Sequence, residues 1–468
     1  MNIQPVFLAS DILFYLLLAM LAGFGCWASR QRNFRESWRQ VVLNPLALVS
    51  LVVLLTYLAV GLLDSIHFQQ KVTTASNGKT YYSAQVKSLL DVALGGLGDH
   101  SEKTYSAPFA LHLYAKELAR NDTGTMEQIY PRLHSINPSV KTAQDRRQDV
   151  FGRIAVSVIE GIVLTLILSL IFSLYLRRQS ALTFSKQWRQ LLMGRARKPW
   201  GLLLVTLGVI IFVILLIAHL SGQYHMFGTD KVGNDVLYQA LKSIRTGLLI
   251  GSLTTLVMLP FALILGAMAG YFGGIVDDII QYVYTTLSSI PGVLLIAAAI
   301  LSIQIYIANH PEAFTTIAGR ADARLIALCI ILGVTSWTSL CRVLRGETLK
   351  LREVDFIQAA RALGVGWFRI ISRHVIPNVM HIVLIAIALD FSMLVLAEAV
   401  LTYVGVGVDP TTISWGNMID SARLELAREP VVWWSLVAAF LFMFVFVLAA
   451  NLFADALREA FDPRMAKR

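Results

Sequence analysis

"DFIQAARALGVGWFRIISRHVIPN", Asp355 to Asn378, lies between two apolar segments, 324–345 and 380–404, each long enough to cross a bilayer. It carries three arginines, a histidine and a carboxylate, punctuated by Gly364, Gly366 and Pro377. On a helix, Phe356, Ala360, Leu363 and Trp367 recur at i, i+4, i+7 and i+11 and form one apolar stripe. Asp355, Gln358 and Arg361 recur every three residues and form a polar one. Gly364 and Gly366 end or bend the helix, and Pro377 starts the next span, where a missing N–H does no harm. The stretch reads as a short amphipathic helix on the membrane surface, tied at both ends to spans. That pattern alone fits a plain interfacial anchor as well as a docking element.

The rest of the chain makes the lipid setting plain. Of 468 residues, 56% are hydrophobic and only 15% charged, too little polar surface for a soluble protein of this length. The apolar residues gather into runs of about 20, the length that spans ~30 Å of hydrocarbon. Nine such runs are read: 9–28, 42–64, 152–176, 200–220, 246–270, 275–302, 324–345, 380–404 and 431–455, of which 275–302 is the least uniform. The fold class is therefore an all-α polytopic membrane protein. The first run lacks a basic n-region, and Arg30, Arg32, Arg35 and Arg39 follow it, so it reads as a retained span entering from outside.

Orientation follows from the cations. Of the 40 Lys and Arg, 22 fall in 29–41, 177–199, 341–378 and 456–468. The alternate short segments hold seven, counting Arg324 at the edge of its span. The positive-inside rule puts the 22 in the cytoplasm, with the N-terminus outside and the C-terminus inside. The net charge of +10 is thus mostly a topology signal, and no basic soluble domain exists to bind nucleic acid. Cys26, Cys329 and Cys341 lie in or beside spans, with neither disulfide nor metal-site spacing.

The chain divides unequally. Residues 1–64 hold two spans, 65–151 form an extracytoplasmic segment, and 152–199 hold a further span and a cytoplasmic linker. The first core span and its outer loop follow at 200–245, the rest of the six-span core at 246–455, and a cytoplasmic tail at 456–468. Within 65–151, "LHLYAKELAR" (Leu111–Arg120) has helical apolar spacing, and "SNGKTYYS" (Ser76–Ser83) has turn chemistry followed by strand formers. The segment is large enough for a small domain standing outside the core. A Trp-Arg-Gln before a span occurs twice, at Trp38 and at Trp188, a weak internal echo.

The pattern Gln358, Ala359, Ala360, Gly364 and Pro377 resembles the EAA loop of ABC importer permeases, and "QAARALGVGWFRIISRHVIPN" is similar to the C-type branch of the dipeptide/oligopeptide/nickel permease family. Four further strings stand in family order: "FGTDKVGNDVL" from Phe227, "GAMAGYFGGIVDDII" from Gly266, "AEAVLTYVGVGVDPTTISWGNMI" from Ala397 and "FADALREAFDPR" from Phe453. The resemblance covers about 200–468 and implies a six-span importer core. It implies that Gln358, Ala359, Ala360, Arg361, Gly364 and Pro377 belong to a loop that couples to a separate ATPase subunit. The implied partners are a second permease, two cytoplasmic ATPase subunits, an extracytoplasmic binding protein and membrane lipid, with no nucleic acid. ATP would be bound by the partner ATPases, and the substrate class implied is di- or oligopeptides, with nickel chelates and export as other uses of the scaffold. Gln358 stands where the family usually has an acid, so no ion pair with an arginine is implied there, and His374 stands at a usually hydrophobic position.

No G-x-x-x-x-G-K-[ST], H-E-x-x-H, G-x-S-x-G or C-x-x-C occurs, so a transport subunit without its own cofactor is expected rather than an enzyme. A sensory or scaffold protein using the 65–151 domain is the reading from another class. Three carboxylates fall in spans, at a cost of roughly 2.5–3.5 kcal/mol each at mid-bilayer: Glu160, Asp390 and Glu398. Asp390 and Glu398 are eight residues apart, about 80° around one helix, so they can face one cavity and attract a cationic amine, or pack by hydrogen bonds. Glu160 is expected to snorkel or to pair with Arg153. Pro260 and Pro291 are expected to bend their spans, and Gly270, Gly273 and Gly274 to make a tight turn between spans five and six.

Overall fold

A computed structural model describes residues 3–30, 32–74, 80–83, 86–95, 97–98, 101–120, 126–177, 199–312, 314 and 316–461. The second copy of the Trp-Arg-Gln echo and the last part of the C-terminal tail lie outside the described residues. Among the described residues nine helices are long and apolar enough to cross a membrane. They are Ala9–Cys26 within α1 (Ala9–Ser29), α3 (Pro45–Asp64), Ala143–Tyr175 within α5 (Ala143–Arg177), α6 (Trp200–Ser221), α7 (Val236–Phe272), α9 (Gly292–Asn309), α10 (Ile317–Arg352), α12 (Trp367–Tyr403) and α14 (Trp434–Phe461). Shorter helices lie between them: α2 (Arg32–Leu43), α4 (Leu89–Ala93), α8 (Gly274–Ser289), α11 (Asp355–Ala362) and α13 (Trp415–Glu425). The expected run 275–302 is not one span. It breaks at Ile290, which is extended, and Pro291, which caps α9, so α8 is a separate amphipathic helix and only α9 is a candidate span. Pro291 therefore starts a helix rather than bending one, whereas Pro260 sits inside α7 as expected.

The chain forms two compact units. One contains Met1–Val6, Arg39–Arg245 and Ile413–Ala449. Its sheet is antiparallel: β1 (Ile3–Val6) and β4 (Lys87–Ser88) both pair with β2 (His67–Thr74), which also pairs with β3 (Thr80–Tyr82). Leu111–Arg120 is not helical, contrary to the expectation from its spacing. Leu111 and Leu113 are buried while His112 points out, a period of two, and the main chain exchanges Leu113 N–H to Pro131 O and Leu133 N–H to Leu111 O. The following β5 (Glu117–Arg120) pairs with β6 (Met126–Ile129) as a hairpin.

The 65–151 segment does not stand apart within this unit. Leu111, Leu113, Leu133, Ile136 and Val140 share a core with Leu220 and Tyr224 at the end of α6. The loop after α6 threads against residues 102–107. A Cβ on Gly233 would come within 1.7 Å of Glu102 O, and one on Gly228 within 2.3 Å of Ser106 O, so only glycine permits that approach. Thr229 Oγ1 donates to Thr104 O at 2.8 Å and accepts from Ser106 N–H at 2.6 Å. His225 Nδ1 lies 2.6 Å from Asp235 Oδ2 and its Nε2 3.9 Å from Glu102 Oε1, all three side chains being buried. Lys242 reaches Asp91 at 2.9 Å and Asp64 at 3.6 Å, joining the end of α3 to α4 and the start of α7. Glu160 does not pair with Arg153. Arg153 is held by Asp149 at 2.9 Å and Gln223 at 2.7 Å, while Glu160 lies 3.5 Å from His219 Nε2.

The other unit contains Phe7–Trp38, Thr246–Thr412 and Ala450–Arg468. Here α7 meets α10 through small residues one turn apart. A Cβ on Gly266 would lie 2.9 Å from Cys341 O, and one on Gly270 2.5 Å from Thr348 Cβ and 2.7 Å from Arg345 O. This Gly-x-x-x-Gly spacing lets two backbones approach where lipid supplies no hydrophobic drive to join them. Met258, Ala262, Tyr284, Trp337, Leu340, Leu344, Val379 and Val383 complete the core. Gly273 and Gly274, both at positive φ, make the expected turn into α8, and Arg345 then grips Asp277 of α8 with two parallel hydrogen bonds at 2.5 and 2.7 Å.

Two outcomes follow. Gly270→Leu should force α7 and α10 apart at a cost of at least about 1–3 kcal/mol, read as a lower melting temperature of the detergent-purified protein, whereas Gly292→Ala, in open space, should leave it unchanged. Burial opposes the charge on His225, but its bonds to Asp235 and Glu102 outweigh that and raise its pKa from 6.5 to about 9. A raised pKa means the charged ring stabilises the fold fully below pH 6.5 and loses that contribution as pH rises through about 9, a term on the order of 3 kcal/mol. The melting temperature should therefore fall over that window, and His225→Gln should flatten the fall.

Candidate functional site

The residues singled out at 358–377 are brought together at one end of the second unit. α10 ends at Arg352, and a turn closed by Glu353 N–H to Lys350 O and Val354 N–H to Leu351 O leads into α11. The helix is eight residues long. It ends because Gly364 adopts φ +75°, which lets Val365 N–H reach back to Ala360 O at 3.1 Å and Gly364 N–H to Arg361 O at 3.0 Å. This is the paired closure in which the residue after the glycine also makes an apolar contact with the last turn, and Val365 packs beside Ala360. The helix end expected at Gly364 is thus present.

The apolar stripe is split: Ala360 lies on the buried side, and its other three members face away from it. Ile357 (0% exposed) and Ala360 pack with Ala267, Ile370, Ile371 and Val375, and that cluster fixes α11 to α7 and α12. Phe356, Leu363 and Trp367 are on the open side, Leu363 at 83% exposure. Phe272 and Phe368 are exposed there too; the Trp367 ring lies 5.4 Å from that of Phe272 and 5.9 Å from that of Phe368. Gln358, Ala359, Arg361 and Gly364 are exposed alongside. Gln358 Nε2 reaches Glu353 rather than a cation, at 3.3 Å. The His374 ring lies 6.1 Å from that of Phe356. The anchor residue was not singled out from the sequence. Its signal was Ile357 three residues before Ala360, the one member of the stripe that this side shares.

Pro377 does not start the span. The helix runs from Trp367 to Tyr403, and the proline is accommodated by a π-turn at Ile371–Val375, where Ile376 N–H bonds Ile371 O. Widening the turn just before a proline is one way a helix survives the missing N–H. Asn378 Nδ2 supplies a further donor to His374 O at 2.6 Å.

Asp390 and Glu398 share α12 but not an environment, and Asp390 lies about 20 Å along the helix from Pro377. Glu398 is buried and accepts from Thr402 Oγ1 at 2.9 Å. Asp390 is half-buried and bonds to no described residue. Beyond α12, Arg324 of α10 pairs with Asp409, whose Oδ1 also accepts from Thr411 N–H at 2.9 Å; those bonds hold the Asp409 carboxyl below the usual range against the opposing effect of burial.

Because Ile357 is the one residue of α11 that is wholly buried in the cluster, Ile357→Asp should free α11 from its seat. Limited trypsin digestion should then cut after Arg361 much faster than in the parent protein, while Leu363→Asp, on the open side, should leave the cutting rate unchanged.

Residues 262–467 match the family described as binding-protein-dependent transport system inner membrane component. An oligopeptide transport system permease protein OppC of Mycobacterium tuberculosis is 34% identical over 242 residues, covering 52% of this chain and 77% of that protein. A glutathione transport system permease protein GsiD of Pectobacterium atrosepticum is 30% identical over 241 residues, covering 52% and 73%. More distant is a solved inward-facing methionine ABC transporter, 17% identical, covering 47% of this chain and 96% of that one with a TM-score of 0.33. With nine apolar helices among the described residues, a matched segment that contains α11 and relatives covered over more than two thirds of their length, the chain belongs to the binding-protein-dependent inner-membrane permeases of ABC importers, in the C-type branch of the dipeptide/oligopeptide/nickel family.

Proposed function

We propose that this chain is the C-type permease of a peptide importer and that α11 is its contact with an ATPase subunit. The observation that carries this reading is the two-sided helix: one face locked into the permease by Ile357 and Ala360, the other offering Phe356, Leu363, Trp367 and Phe368 to solvent. Exposed aromatic and aliphatic side chains ringed by Gln358, Arg361, Arg369 and Arg373 suit a protein groove better than bulk water. Ala359 and Gly364, with small or no side chains on the open side, allow close backbone approach. ATP is bound by the partner ATPase pair, whose closing would push on α11. The push passes to α7 through Ala267 and to α12 through Ile370, Ile371 and Val375, so a shift of the helix is a shift of spans. Taking the pathway from 1:99 to 99:1 in favour of one face needs about 5.5 kcal/mol of differential binding, within reach of a protein interface of this kind.

The remaining assignments follow from the same reading. A second permease supplies the other half of the pathway, and a binding protein delivers substrate to the side that carries the 65–151 segment. The cationic asymmetry supports an outside N-terminus and an inside C-terminus. The names of the relatives point to di- and oligopeptides. Asp390, the one span carboxylate of the two on α12 that lacks a described partner, is assigned to the pathway, where it would attract a substrate amine; Glu398 is assigned to packing.

The test uses α11 itself. Leu363→Asp should leave the protein in the membrane and as heat-stable as the parent, but ATPase subunits should no longer co-purify with it, and uptake of a labelled tripeptide should cease. Gly364→Val forces a β-branched residue to φ +75°, and uptake should likewise be lost with expression retained. ATPase retention and normal uptake in both variants would remove α11 from the coupling role. Asp390→Asn should reduce uptake of peptides with a free amino terminus more than of N-acetylated ones.

A further inference from the structure

The two basic residues at the start of α5, Arg146 and Arg147, overhang a cleft of about 150 Å3 whose walls are Pro108, Phe109, Val150 and Phe151. Arg147, Val150 and Phe151 stand three and four residues apart and so share a face of α5. Below Phe151 the exposed surface continues down the helix, seven and then four residues at a time, as Val158, Ile162 and Leu166, which is the surface of a helix that touches lipid. From Ile154 to Tyr175 the helix covers about 33 Å, the thickness of the hydrocarbon. Phe151 (70% exposed) therefore sits at the hydrocarbon boundary, and Arg147 lies one turn further out, in the headgroup layer about 5–7 Å deep.

The charges are not consumed locally. Arg146 spends one N–H on Phe109 O at 2.9 Å and keeps the others, and Arg147 bonds to no described residue. The two nearby carboxylates are engaged elsewhere. Asp145 accepts from the Lys141 and Thr142 N–H groups, and Asp149 from Arg153 and Tyr224, each at 2.9 Å. Two guanidiniums above an apolar floor at headgroup depth suit a phosphate that carries acyl chains. Guanidinium forks match phosphate oxygens, and the exposed face of α5 gives the chains a path.

We propose that this cleft binds the headgroup of an anionic phospholipid, with Arg146 and Arg147 on the phosphate and Phe151 against the first methylenes of a chain. The cleft holds the headgroup alone. The lipid would brace the outer end of α5 against Phe109, and through it the leucine core of the 65–151 segment.

The experiment is native mass spectrometry of the full-length chain released from nanodiscs of mixed phosphatidylglycerol and phosphatidylcholine. The parent protein should retain phosphatidylglycerol selectively. Arg147→Gln should lower that retention roughly fivefold, the effect of one basic side chain at an anionic surface, and Arg147→Lys should restore most of it. Arg147 has no described partner to lose, so the melting temperature in detergent should not change. Soluble glycerol phosphate should not displace the lipid. Unchanged phosphatidylglycerol retention in Arg147→Gln would overturn the site, and displacement by glycerol phosphate would overturn the lipid assignment in favour of a soluble anion.

Discussion

The separation of α7 and α10 is the constraint from which the second unit is built. Gly266 and Gly270 let the two backbones come within reach of each other's carbonyls, and nothing larger fits at either position. Close approach is needed because lipid is as apolar as any leucine and gives helices no reason to associate except packing and hydrogen bonds. Once α10 is seated there, Arg345 falls within reach of Asp277, which fixes α8. The end of α10 then delivers the turn into α11 beside Ala267, on the same helix as the two glycines. Small residues on one helix thus position both the anchor of α11 and the neighbour that receives it.

Span number and order were legible in the sequence because hydropathy averages over about 20 residues and tolerates local error. The ends of α11 were legible for a different reason: Gly364 must be glycine to hold φ +75°, and such a residue announces itself. What could not be read was the direction in which the helix faces. Phe356 and Ile357 are adjacent and both apolar, and a rotation of 100° exchanges the stripe containing one for the stripe containing the other. The choice is made by Ile370, Ile371 and Val375, which come after two glycines and run through a π-turn, so no single helical period connects them to Ile357. Likewise the run 275–302 looked continuous because Ile290 and Pro291 are apolar enough to raise the average while breaking the backbone.

The contacts that the segment 65–151 makes were out of reach of the sequence for a related reason. Its polar, mixed composition describes a surface, and it is one, but its inner side is completed by residues more than 70 positions later. Glu102, from the segment, joins His225 and Asp235 in one buried set, in which a carboxylate and an imidazole offset charges that would each be costly alone. Gly228 and Gly233 are signals of that contact visible in the sequence, inside the string that also carries the family resemblance. A glycine that a positive φ and a close backbone approach both require marks where two stretches meet, but it does not name the second stretch.

The span carboxylates show how far chemistry can be assigned from helical position. Asp390 and Glu398 lie about 80° apart on one helix, close enough to suggest a common role. Eight residues of rise separate them by about 12 Å, however, and that displacement matters more than the angle. Glu398 falls in the last turns of α12, where Thr402 is four residues away on the same face and can donate to it, so the acid is satisfied within its own helix. Asp390 has Leu394, an apolar residue, at the equivalent position and gains no such donor. An acid that its own helix does not satisfy must be met by water, a partner chain or a passing cation.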